Sequence, residues 1–271
     1  MVYRKDLLEQ NGLSVPTTWD EYKNVVETIH DPANGIYGTS IMGARHEAAF
    51  YEYLNFMWGH GARLFDEDLR PAINSPEAVE ALEYLKSLVD YAPEGTLTYT
   101  WTESATAFQQ GNVGAEIIFP DWTAALRDPD QSKVLGTWAY APIPGDAPTA
   151  IGGYGWAVNK NSDNPDAAFE FAYWATSEAV QRELVKHGAT LSRRSVMEDA
   201  ELNEQYPYLQ ALAAAAPRAQ PPMKIAPYFE LLDSIALRIN EGLSGARSPQ
   251  EALDLAQEEW VEIMTRSGYL D

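Results

Sequence analysis

The chain has 271 residues, 45% hydrophobic and 11% aromatic, with 40 acidic against 19 basic side chains for a formal charge of −21. Such a composition builds a globular core, in one large domain or two ordinary ones, and the negative field argues against nucleic acid or anionic lipid as partners. Cysteine is absent, which excludes thiol catalysis, disulfides and cysteine metal sites, and no apolar run approaches the roughly 20 residues of a bilayer crossing.

The opening stretch "MVYRKDLLEQNGLSVPTTWDEY" lacks the basic start, apolar centre and small-residue cleavage site of a secretory signal. Val2 and Tyr3 are strand-like, and Thr18-Trp19-Asp20-Glu21 is a capping box followed by Trp19, Tyr22, Val25, Val26 and Ile29 at helical spacing. Ser75-Pro76 opens a second helix with Val79, Leu82, Leu85 and Leu88 as its stripe. Runs from Ile36 to Ile41, Val113 to Phe119, Thr137 to Ala141 and Ile151 to Val158 read as short strands. Asn164-Pro165 starts a helix through Trp174, and Ser177 starts the next, with Gly188 placed to end it. The run Ala213 to Ala216 reads as a helix end, and Ser248-Pro249-Gln250-Glu251 opens a last helix towards Gly268. Short strands alternating with capped helices predict an α/β architecture.

Catalytic motifs are scarce. There is no G-x-S-x-G, no phosphate-cradling glycine loop and no H-E-x-x-H, and His30, His46, His60 and His187 are scattered. Asp66, Glu67 and Asp68 lack the ligand spacing of a calcium loop and read as a solvated turn. With 40 acids, a carboxylate pair for glycoside cleavage stays open as the alternative function. Aromatic residues gather beside polar ones in "RHEAAFYEYLNFMWGHG", "TYTWTES", "FPDWTAA", "IGGYGWAVN" and "APYFELL". Rings that stack on the C–H face of a sugar, with polar groups for its hydroxyls, would suit a carbohydrate, although any single ring is as readily core.

Four segments, in order, carry a resemblance to a known family. "VYRKDLLEQNGLSVPTTWDEY", "ATAFQQGNVGAEIIFPDW", "IGGYGWAVNKNSDNPDAAFEFAYWATSEAVQREL" and "SPQEALDLAQEEWVEIMTRSGY" resemble successive motifs of the family 1 extracellular solute-binding proteins, the maltose-binding-protein-like receptors of ABC sugar importers. Glu116 departs from the pattern, standing where the family usually has an apolar Met, and it faces either solvent or the cleft. The resemblance implies a type II periplasmic-binding-protein fold, with two α/β lobes closing by a hinge on a carbohydrate or polyol, and no catalysis, metal or cofactor. It implies permease subunits of an ABC importer as partners, and a periplasmic or lipid-anchored extracellular location for the full-length form.

Carried over by motif, the expected ligand-binding residues are Tyr51, Asp121, Trp122, Gly152, Gly153, Tyr154, Trp156, Arg194, Tyr228 and Phe229. For Tyr51 a core role weighs as much, and for Arg194 a structural ion pair does. The family has roughly a hundred residues ahead of the segment that Val2 to Tyr22 resembles, about one small domain. The chain is therefore expected to be N-terminally truncated: residues 1–152 and 197–271 form the second lobe, and 153–196 the return segment of a first lobe whose main part is missing. The apolar positions Phe171, Trp174, Val180 and Leu184 would then lack their cover, and self-association, strand exchange or partial disorder is expected to hide them.

Overall fold

Local capping chemistry sets most helix starts in the computed structural model, which describes all residues, Met1–Asp271. The chain runs through β1 (Val2–Arg4), α1 (Lys5–Gln10), α2 (Trp19–Ile29), α3 (Glu47–Gly59), α4 (Pro76–Ser87), α5 (Trp101–Gln109), β2 (Ala115–Glu116), α6 (Thr123–Leu126), β3 (Trp138–Tyr140) and β4 (Thr149–Ala150). It continues with α7 (Pro165–Ala175), α8 (Glu178–Lys186), α9 (Arg194–Met197), α10 (Ala200–Gln205), α11 (Tyr208–Ala215), β5 (Ala219–Gln220), α12 (Tyr228–Ser244) and α13 (Pro249–Arg266). At α2 the Thr18 hydroxyl accepts the Glu21 N–H at 3.2 Å while the Glu21 carboxylate accepts the Thr18 N–H at 3.2 Å. Ser248 and Glu251 close the same reciprocal cap on α13, and Ser75 and Ser177 cap α4 and α8. Gly188 follows α8 with φ +74, and a side chain there would meet the Ala124 backbone nitrogen at 2.7 Å, so left-handed geometry and close packing both require glycine.

The strands are shorter than expected. β1 lies between β2 and β3 in an antiparallel sheet, with Val2 opposite both Glu116 and Tyr140. β4 and β5 form a separate parallel pair. The run Ile36 to Ile41 is not a strand but an irregular segment, with isolated bridges from Ile36 to Asp31 and from Tyr37 to Val113. It passes so close to α2 that a Cβ on Gly38 would stand 2.0 Å from the Val26 carbonyl oxygen. The run Ile151 to Val158 is not a strand either. The Ile151 N–H reaches the Gln220 carbonyl at 3.0 Å, and beyond it residues 152–157 are exposed with no neighbouring strand to pair with.

α3 is the centre of the core, buried on nearly every side from Ala48 to Trp58. α4 and α12 pack against it, α13 packs on those two, and Trp260 of α13 is fully buried, its indole N–H donating to the Leu231 carbonyl at 2.9 Å. A smaller cluster joins Val185, Leu191 and Val196 to Tyr208 and Leu209 and leans on Trp138 and Tyr140 of β3. α7 is different: none of its residues is buried, and Phe169, Phe171, Tyr173 and Trp174 are each at least half exposed. Leu184 is exposed as well and Val180 half-buried.

Candidate functional site

Four separate segments bring aromatic rings together at one place. Tyr51 lies in the second turn of α3, a helix opened by His46, whose Nδ1 accepts the Ala48 N–H at 3.2 Å. Trp101 is the first residue of α5, held there by the Thr100–Glu103 capping box. Phe119 ends the extended run after β2, and Pro120 turns the chain away. Tyr228 and Phe229 begin α12. The Tyr51 ring centre lies 5.9 Å from Trp101 and 5.7 Å from Phe119, and those two lie 5.4 Å apart. The Tyr51 and Tyr228 hydroxyls meet at 3.0 Å, and the Tyr228 and Phe229 rings at 5.1 Å.

Tyr51, Trp101, Phe119 and Tyr228 are half-buried and Phe229 is 71% exposed, so the rings form a wall with faces left free. Burial, followed by the hydrogen bond and charge of Tyr51 and then by Glu47, pushes the Tyr228 phenol well above its ordinary pKa, which keeps it a neutral hydroxyl. Gly152 borders the wall, where a side chain would approach the Phe119 ring only at 3.9 Å, so the chain passes the ring with space to spare.

The other expected site residues divide into three groups. Trp122 is half-buried in the turn following Phe119 but stands outside these ring pairs, and Asp121 beside it is exposed and accepts the Thr190 hydroxyl at 2.5 Å. Gly153, Tyr154 and Trp156 are exposed on the far side of Gly152, with Trp156 5.4 Å from Phe171 of α7. Arg194 is on α9, where its Nε pairs with the Glu198 carboxylate at 2.6 Å; the ion-pair alternative describes it. Trp101 and Phe119, both in aromatic clusters visible in the sequence, complete the wall and were not among the expected binders.

Glu116 points neither to solvent nor to the cleft. It is 1% exposed beneath the wall, where the Ser40 and Ser104 hydroxyls reach its carboxyl. Burial pushes it up to about 7 against those hydrogen bonds. Glu52, next to Tyr51, is also buried and accepts the Met42 N–H at 2.6 Å; burial pushes it up to about 8. These two carboxyls sense each other's charge but are closed to any substrate, so they are no glycoside-cleaving pair.

The profile of the family described as bacterial extracellular solute-binding protein matches residues 1–182, two thirds of the chain. The chain belongs to that family. Among relatives of this solute-binding protein, the mannitol-binding protein of Pseudomonas aeruginosa is 28% identical, over 98% of this chain and 67% of its own length. An ABC transporter solute-binding protein of Agrobacterium radiobacter, solved with ribitol, is 31% identical with a TM-score of 0.85, over 97% of this chain and 68% of that one. Maltose-bound MalE3 of T. maritima is 29% identical with a TM-score of 0.86, over 96% of this chain and 68% of that one. The fold is therefore the type II periplasmic-binding-protein fold, and the chain spans about two thirds of the length of these relatives.

Proposed function

We propose that this solute-binding protein captures a small carbohydrate or polyol on the Tyr51–Trp101–Phe119–Tyr228 wall. It passes the solute to the permease subunits of an ABC importer from the periplasm, or from a lipid-anchored extracellular position, and does no chemistry on it. The observation that carries this reading is the convergence of half-buried rings from four segments, because each offers a free face of the kind that stacks on sugar C–H groups. The ribitol, mannitol and maltose named for the relatives are of the same chemistry. Asp121 and Trp122, one turn from Phe119, and Gly152 with Gly153 are proposed as the rim.

Trp101→Ala is expected to weaken D-mannitol or ribitol binding by at least about 1.5 kcal/mol, the low end for losing a large buried side chain and about tenfold in affinity. The thermal midpoint should barely move, because the ring is only half-buried. Calorimetric titration of the variant with an unchanged affinity would take Trp101 out of the site.

Residues 1–152 and 197–271 are proposed to act as one lobe, with 153–196 belonging in part to another surface. The outward face of α7 supports this, although α8 and α9 share an apolar cluster with α11. Phe169, Phe171, Tyr173 and Trp174, together with Tyr154 and Trp156, make a contiguous exposed aromatic face of a kind that monomers rarely keep open. A second copy of the chain is proposed to cover it. Light scattering should give a mass above the 30.1 kDa of one chain, and Phe171→Ser with Trp174→Ser should return it to one chain. A wild-type mass of one chain at all concentrations rules this out.

A further inference from the structure

Beneath the wall lies a ring of three oxygens. The Ser104 hydroxyl donates to Glu116 Oε2 at 2.9 Å, the Ser40 and Ser104 hydroxyl oxygens stand 2.5 Å apart, and Ser40 contacts the same Oε2. Each of these three contacts needs a proton between its oxygens. Two hydroxyls supply two protons, and a carboxylate supplies none. Either hydroxyl alone would favour ionised Glu116, but with both donating to it the Ser40–Ser104 contact is left with no hydrogen. A carboxylic acid supplies the third proton and closes the ring, each oxygen donating once and accepting once. Ser40, Ser104 and Glu116 are all at most 2% exposed.

The ring ties together the elements that carry the wall. Ser104 is three residues after Trp101 on α5, one helical turn along. Glu116 is three residues before Phe119 on the same extended run. Ser40 sits in the segment whose Met42 N–H is bound by Glu52, the neighbour of Tyr51 on α3. We propose that Glu116 is a neutral carboxylic acid that positions the Trp101–Phe119 half of the wall through Ser40 and Ser104, so that its ionisation loosens the rings and weakens ligand capture. The ligand part rests on the carbohydrate reading above; the coupling of Glu116 to the rings does not.

The surroundings favour the neutral form. The ionisable groups facing Glu116 are Glu52 on α3, Tyr22 on α2, Tyr140 on β3 and the Met1 amino group beside β1. Burial pushes both phenols up and Glu52 up to about 8, and it lowers the Met1 amino group to about 5. The Met1 amino group is the one that pulls Glu116 down, and with burial holding that amine to about 5 it carries little positive charge near neutral pH.

The test follows three signals in the intact chain between about pH 4.5 and pH 9, a window spanning the ordinary and the raised carboxyl range. They are the carbon-13 carboxyl resonance of Glu116, assigned by its loss in Glu116→Gln; the fluorine-19 resonance of 5-fluorotryptophan at position 101, assigned by Trp101→Phe; and D-mannitol affinity by calorimetry. The expected result is one shared midpoint near 7 for the two resonances. D-Mannitol should bind about tenfold more weakly at the alkaline end, against less than about twofold in Glu116→Gln, which stays uncharged throughout. A Glu116 midpoint near the ordinary value of about 4.3 overturns the neutral ring. A Trp101 signal without the Glu116 midpoint, or one with the same midpoint in Glu116→Gln, overturns the positioning role. If D-mannitol binds at no pH while the two midpoints coincide, the coupling stands and the carbohydrate reading fails.

Discussion

Raising the pH from about 5 to about 8 is expected to lower the unfolding free energy by roughly 5 kcal/mol through two raised carboxyls, and Glu52→Gln to remove more than half of that carboxyl loss. The Met1 amino group, which burial lowers to about 5, gains stability over the same span and offsets the loss in part. Glu52 is 3% exposed, and burial raises its carboxyl from 4.5 to about 8 against the pull of the Met42 N–H. Below pH 4.5 both folded and unfolded chains hold the proton, and the group is silent. As pH rises past 4.5 the unfolded chain releases it while the folded chain keeps it, so stability falls steadily until the folded group also ionises near 8. Glu116, raised to about 7, acts in the same direction over a narrower span. At about 1.4 kcal/mol per unit the two raised carboxyls set an upper bound of roughly 8 kcal/mol, and relaxation around a newly charged group takes back part of it. Urea unfolding at several pH values measures the loss. A difference between wild type and Glu52→Gln that stays level from pH 5 to 8 would show that Glu52 ionises freely in the folded chain.

Trp260→Ala is the second large effect, with an expected cost of about 4 kcal/mol, the middle of the range for removing a buried aromatic. The indole is fully buried, stacks on Phe65 at 5.4 Å and spans from α13 to the Leu231 carbonyl of α12. Its loss empties the seam between the two longest helices, and neither can close the gap without leaving α4. For a chain of this size the thermal midpoint should drop by roughly 10 °C. Val261, one residue along and 40% exposed, is the control, and Val261→Ala should change little. A Trp260→Ala midpoint within a few degrees of wild type would mean that the seam collapses freely.

What the sequence made legible was local. Thr18–Glu21, Ser75, Ser177 and Ser248–Glu251 start their helices where expected, because a cap bonds backbone within its own first turn. The strands were less legible, since a strand exists only through its partners. Ile151 to Val158 has the composition of a strand and no neighbour to pair with, while β4 and β5, two residues each, come from segments 70 residues apart in the chain. The wall shows the same division. "TYTWTES" and "FPDW" marked the neighbourhoods of Trp101 and Phe119, but which ring of each group turns inward is decided by α3 packing behind them. The place of Glu116 was hidden for the same reason. Its partner Ser40 lies 76 residues away, and nothing near Glu116 in sequence reports that two hydroxyls await it.

The core has a consequence for the order in which the protein can assemble during synthesis. The inner faces of α3 and α4 are covered by α12 and α13, and about 160 residues separate the end of α4 from the start of α13. A ribosome adding roughly 5–20 residues per second needs on the order of ten seconds or more to cross that interval. Throughout it, Leu82 and its neighbours have no native partner for the surface that Leu253 and Trp260 will eventually occupy. The centre of this core therefore cannot close behind the growing chain as α3 and α4 emerge; it waits for α12 and α13.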